Sequence, residues 1–449
     1  RCAVKWRRLV LNSPKFAIFC PFNIFSCFEN LQNLDPMKLP ILTVLTLSAC
    51  TLSAGAENWY QFRGPTGRGH TGVKEVPVSW DENSVVWKAE LMGSGQSSPV
   101  TWEDKIFLTG ASEDGNERTV MCINGKDGSM LWGESVPCDN PEEIHKMNSR
   151  ATPSCATDGK MVVAFFGPGG LHGFTVDGEK KWSVDLGDFP GGWGIAASPI
   201  LVDGHVIQNT DSMGESKLIA FDINTGEKAW STKREAKPRG GWSTPILINN
   251  NGKKELVLNG EFGVRGYDAE SGKELWFCKG FNGRGAPVPD FADGKIYVVN
   301  GKPGDTYCVK PGGKGDVTDS HMVWHAARKG GRDLPSPAVV DGTLFVTSMS
   351  GIASCYDAET GKTYYSERLN GEQGIEIAAA PLVANGLIYF PTVNGGDVVV
   401  IRPGKELDIV AVNSLGSQSE GEIFRATLTP YDGKVLIRSD GTLYAVKGK

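Results

Sequence analysis

The sequence predicts an all-β fold, an eight-bladed β-propeller of four-stranded antiparallel blades whose ring is closed by the N-terminal strand. Three observations carry this. A hairpin pattern recurs as AFDINTGEKAW over 220–230, YDAESGKELW over 267–276 and YDAETGKTYY over 356–365. Looser copies are CINGKDGSMLW from Cys122 and FTVDGEKKW from Phe174. A Ser/Thr/Ala-Pro strand precedes each copy, and its prolines (Pro99, Pro153, Pro199, Pro245, Pro287, Pro337, Pro381) stand 42 to 54 residues apart. Finally, the Trp strand over 84–91 has no unit before it, and the last unit, from Ala426, lacks a closing strand. Pairing these two orphans closes the ring.

Each part of the repeat has a physical role. The Asp entering the turn accepts bonds from backbone N–H groups just beyond it. Gly226, Gly272 and Gly361 supply the positive φ of a tight turn. The closing Trp offers a large flat surface to the next blade. A lone hairpin is marginal in water, so the copies must stack.

In chain order, residues 1–36 read as an over-extended, non-native N-terminus ahead of Met37. Residues 37–56, MKLPILTVLTLSACTLSAGA, have the form of a signal peptide. Cleavage before Glu57 would release a soluble product, and a lipobox reading would place lipid on Cys50. Residues 57–83 form an N-terminal strap, in which Trp59 and Phe62 anchor and Arg63 pairs. Residues 84–449 are the propeller. The first unit carries an insertion over 137–150. The fifth has a degenerate turn from Lys310, and the seventh has lost its aromatic.

Residues 57–449 hold 40 basic and 50 acidic side chains, a formal charge of −10. No basic stripe is present, so nucleic acid is not a partner. Cys122, Cys308 and Cys355 occupy one repeat position, which reads as a small buried slot. Cys138 and Cys155 flank the insertion and are the candidate disulfide pair. His321 and His325 lie four apart in a strand-rich stretch, which does not suit a metal pair. There is no zinc spacing, P-loop or nucleophile elbow.

The position two residues before each Ser/Thr/Ala-Pro should line the mouth of the central channel. Those residues are Gln96, Arg150, Ala196, Trp242, Arg284, Leu334, Ala378 and Arg425. Trp193 and Glu376 lie close by in sequence. Arg150, Arg284 and Arg425 with Trp193 and Trp242 make a candidate site for an anionic or planar ligand.

The repeated core x-D-x-x-T/S-G-x-x-x-W resembles the pyrroloquinoline quinone (PQQ)-like propeller repeat. The lead-in WYQFRGPTGRG is also similar to exported bacterial proteins of that superfamily. The resemblance implies an eight-bladed fold, and either a quinoprotein dehydrogenase or a propeller like the lipoprotein of the outer-membrane barrel-assembly machinery. The adjacent Cys-Cys of quinoprotein alcohol dehydrogenases is missing. The expected function is therefore an exported, non-catalytic binding or scaffold module without a cofactor. Its expected partner is an envelope protein or peptide at a propeller rim, in the periplasm or outside the cell. The alternatives are a PQQ- and calcium-dependent oxidoreductase of small alcohols or sugars, and a small-molecule or glycan sensor.

Overall fold

The asparagine-glycine and aspartate-glycine pairs make the inner hairpins. Asp203, Asp293, Asp341, Asn385 and Asp432 all have φ between 44° and 54°, and the glycine after each is also positive. Two consecutive positive φ values define the turn whose twist matches the flanking strands. The computed structural model describes residues 57–234, 242–281, 285–301, 304–328, 334–370 and 374–449. These residues build eight sheets, antiparallel throughout except for one short parallel strand added to the fourth. Blades 1 to 7 run from an inner strand to an outer one in chain order, starting at Val100–Trp102, Ala156–Thr157, Ile200–Val202, Ile246–Asn250, Asp290–Ala292, Ala338–Val340 and Leu382–Ala384. Blade 8 takes three strands from the C-terminus, beginning at Thr429–Tyr431, and its outermost strand, Val85–Glu90, from the N-terminus. Val85–Glu90 pairs with Thr442–Lys447, with Trp87 opposite Ala445. The ring is closed as the sequence predicts. The only α-helix among the described residues is Thr318–His321, and no helix there is long and apolar enough to cross a membrane.

Stacking between blades follows one rule. Each closing aromatic lies opposite a small residue of its own blade: Cys122 faces Trp132, Gly173 faces Trp182 and Ala220 faces Trp230. Gly266 faces Trp276, Cys308 faces Trp324 and Cys355 faces Tyr365. A register shift follows every one of these pairs. The indole then reaches the next blade. Trp87 Nε1 donates to the Gly125 carbonyl, Trp132 to Val176, Trp182 to Ile223 and Trp324 to Ala358. The turn glycine of that next blade sits against the ring. A Cβ on Gly226 would come within 2.7 Å of Trp182, and one on Gly361 within 2.6 Å of Trp324. The turn glycine therefore serves two needs, backbone conformation and indole clearance.

The cysteine slot is thus a packing site opposite an indole. Burial pushes the Cys122, Cys308 and Cys355 thiols up to about 12. The expected Cys138–Cys155 bridge is corrected, because both are free thiols and both are buried. Cys138 Sγ instead takes the Arg118 guanidinium, and Cys155 packs in an apolar cluster with Val100 and Phe166.

Blade 4 departs from the rule. Trp276 donates to Glu255 Oε2 at 2.7 Å within its own blade. The degenerate fifth turn supplies Gly315–Asp316, which adds a parallel fifth strand beside Trp276 and Phe277. Trp276 is fully buried, and a Cβ on Gly266 would lie 2.1 Å from its ring. Gly266→Ala is therefore expected to cost about 1–3 kcal/mol through overpacking, read as a lower midpoint in chemical denaturation.

Candidate functional site

The inner strands all run from the channel mouth inward, so residues just before them ring the mouth. Hydroxyls tie neighbouring strands together there. Ser98 N donates to Ser154 Oγ, Ser154 N to Ser198 Oγ and Ser198 N to Thr244 Oγ1. Val288 N donates to Ser336 Oγ, and Thr427 N of blade 8 to Ser98 Oγ of blade 1. These bonds explain the Ser/Thr of the Ser/Thr-Pro signature. In blade 2 the linking hydroxyl is Ser154, two residues after the expected Thr152. Thr152 instead hydrogen-bonds Asn148 Oδ1 and the Ser149 carbonyl.

The far end of the channel is closed by the strap. Trp59 pairs with Thr101 of blade 1, and the Tyr60 carbonyl accepts from Thr157 N of blade 2. Gln61 Oε1 accepts from Leu201 N of blade 3. Arg63 Nη2 donates to the Pro337 carbonyl of blade 6, and the backbones of Gly69 and Thr71 pair with Val383 of blade 7. Blade 5 contributes a carboxylate. Asp290, fully buried, accepts from Arg68 Nε at 2.5 Å, from Phe291 N at 2.8 Å and from Val339 N at 2.7 Å, with His70 Nε2 at 3.3 Å. Burial alone would raise its pKa, but His70 and Arg68 outweigh it and hold the carboxyl well below the usual range. Arg63 is also buried, and desolvation brings it down to about 10 while Asp290 opposes the fall. Sequence reasoning missed Asp290. Its signal was an acidic residue in APVPDFADG where Val100, Ile200, Ala338 and Leu382 begin the inner strands of other blades.

What remains of the channel is a dead-ended well of about 190 Å³, with Phe62 of the strap among its lining. Gln96, Ala196, Trp242, Leu334, Ala378 and Arg425 line it, as do Trp193 and the insertion residues His145, Met147 and Asn148. The insertion is pinned by a buried ion pair, Arg118 Nη2 to Glu142 Oε2 at 2.6 Å. His145 stacks on Trp193 at 4.6 Å, and Trp193 meets Trp242 edge-on at 6.4 Å. Asn148 Nδ2 donates to the Trp193 and Ile195 carbonyls, and Trp242 Nε1 to Gly194. Of the sequence-predicted ligand residues, Trp193, Trp242 and Arg425 come together at the well. Arg150 does not. Its guanidinium donates to the Glu113 and Glu142 carbonyls and fastens the insertion to blade 1. Arg284 lies outside the described residues, as does Cys50.

The well does not fit PQQ with calcium. No carboxylate is among the described residues that line it, so these offer a calcium ion none of its preferred ligands. One described guanidinium, Arg425, stands where a tricarboxylate calls for several cations. Pockets for ligands of that size start at about 300 Å³. Among the described residues there is no grouping of three or more His, Cys, Asp or Glu fit for a metal. His325 is taken by Asp305 at 2.9 Å and by Phe281, on which it stacks at 3.4 Å.

A ring of eight four-stranded blades locked by indoles places this protein among the PQQ-like β-propellers. A family model described as outer membrane protein assembly factor BamB matches residues 71–243, 175–277 and 261–446, and the chain belongs to that family. No curated protein matches the sequence significantly. Among solved structures, BamB from Moraxella catarrhalis superposes with a TM-score of 0.58 at 15% identity, over 81% of this chain and 99% of that one. Quinohemoprotein alcohol dehydrogenase from Comamonas testosteroni gives 0.60 at 10% identity, over 88% and 81%. The computationally designed Ika8 protein gives 0.57 at 15% identity, over 81% and 99%. At these identities the similarity is one of fold.

Proposed function

We propose that this chain is an exported, non-catalytic propeller that serves as a binding or scaffold module in the bacterial envelope, in outer-membrane protein assembly. Membership of the BamB family supports the scaffold class. The observation that carries the reading is the strap-sealed channel. It makes the propeller a one-faced platform, with a shallow well whose described lining is mostly apolar and neutral polar and holds no carboxylate, which favours binding over quinone chemistry. The signal peptide over 37–56 would carry the product across a membrane, and Cys50 is the residue a lipid would take. Its partner is an envelope protein or peptide held at a rim by loop contacts or strand addition. Deleting the gene is expected to lower outer-membrane protein levels severalfold relative to inner-membrane controls, measured by quantitative proteomics of purified envelopes. Unchanged levels would remove the assembly role and leave the wider scaffold class.

A further inference from the structure

The well has two walls of opposite character. Trp242 enters blade 4 and Arg425 enters blade 8, so in a ring of eight they face each other across the channel. The aromatic wall is held in place before any ligand arrives. His145 stacks on Trp193, Trp193 meets Trp242, and the backbone between them is clamped by Asn148 and by the Trp242 indole N–H. Ala286, Leu334 and Ala378 separate the two walls with small apolar surface. On the other wall, Arg425 Nε is buried with no hydrogen-bond partner among the described residues. The acid that shares its field is Asp440, which does not line the well. Burial pushes the Asp440 carboxyl up, against the pull of Arg425 and Arg438.

We propose that this well binds a small aromatic monocarboxylate, with its carboxylate on Arg425 and its ring against the Trp193–Trp242 wall. The inference rests on the reading of the chain as a binding module and names what one face of it takes. The chemistry selects the class. Arg425 lines the well, and a guanidinium pairs best with a planar carboxylate, which accepts two parallel N–H bonds. Ser98, Ser198 and Ser336 each accept a neighbouring amide and keep their own O–H to donate. A single described cation matches a single negative charge and leaves a polycarboxylate or phosphate dianion under-compensated. A sugar would face apolar walls with no carboxylate acceptor for its hydroxyls among the described residues. The space equals roughly six waters at ~30 Å³ each, which suits one ring and its acid group.

The test is benzoate titrated into the full chain, followed by calorimetry and by tryptophan fluorescence, with benzyl alcohol as the uncharged analogue. Saturable one-to-one binding is expected, with benzyl alcohol at least tenfold weaker. Arg425→Gln is expected to weaken benzoate at least tenfold, and Trp242→Leu severalfold, with both unfolding transitions retained. Equal affinities for benzoate and benzyl alcohol would overturn the proposal without any variant. So would no saturation by about 10 mM, weaker than the ~4 kcal/mol of a 1 mM complex, or an Arg425→Gln protein that binds as the parent does. Capture of an envelope partner at the rim is read separately by affinity purification. A protein that captures its partner but ignores benzoate therefore loses this inference alone.

Discussion

Replacing Asp290 with alanine is expected to destabilise the propeller by about 3–5 kcal/mol, the usual cost of removing one member of a buried ion pair. Arg68 and His70 retain some solvent, with side chains 24% and 22% exposed, so they alone would place the cost at the low end. Arg63 raises it, because it is 1% exposed, its Nε and Nη1 have no described hydrogen-bond partner, and Asp290 is the acid that favours its charge. The Phe291 and Val339 amides also lose their acceptor, and each orphaned buried N–H costs roughly 1–3 kcal/mol. Asp290 joins blade 5, blade 6 and the strap, so the loss should appear as one cooperative shift in urea midpoint. The pH dependence follows from the depressed carboxyl. Such a group contributes stability above its unfolded pKa, near ~3.9, and loses it as pH falls through the lower folded value. The gap between the parent and Asp290→Asn should therefore hold at neutral pH and close only under strongly acidic conditions. A variant with an unchanged midpoint at pH 7 would show that the strap does not depend on this carboxylate.

Deleting residues 84–91 is expected to have the larger effect and to abolish stable folding of the ring. The deletion removes Trp87, a buried indole whose loss alone costs about 3–5 kcal/mol, and the ladder to Thr442–Lys447. It also uncovers the edge of Thr442–Lys447, which would then recruit other chains. Size-exclusion chromatography should show aggregates, and hydrogen exchange should show lost protection in blades 1 and 7 as well as in blade 8. Exchange confined to blade 8 would mean that the ring does not rely on its closure.

The fold was legible in the sequence because its cause is local and repeated. Each Asp-x-x-Thr/Ser-Gly-x-x-x-Trp copy specifies a turn, a register and a docking surface within a dozen residues. The cysteine slot was legible for the same reason, since Cys122, Cys308 and Cys355 share a position with Ala220 and Gly266. The site was legible in part. Counting back from the Ser/Thr/Ala-Pro strands reached Trp242 and Arg425, but it also selected Arg150. Nothing in the local pattern told that the insertion turns Arg150 toward the Glu113 and Glu142 carbonyls. The Cys138–Cys155 expectation failed similarly, because sequence separation does not say that Arg118 occupies one thiol and an apolar cluster the other.

By itself, then, the sequence determined the number of blades, their turns, their order and the pairing of the two chain ends, all of which follow from short-range periodicity and from counting. Tertiary structure alone decided that the channel is a well and not a pore. That outcome depends on a strap whose residues meet strands more than two hundred positions away, as Arg68 meets Asp290 and Arg63 meets Pro337. Such contacts leave no periodic trace, since a buried charge is tolerated only where the folded chain brings its partners to it.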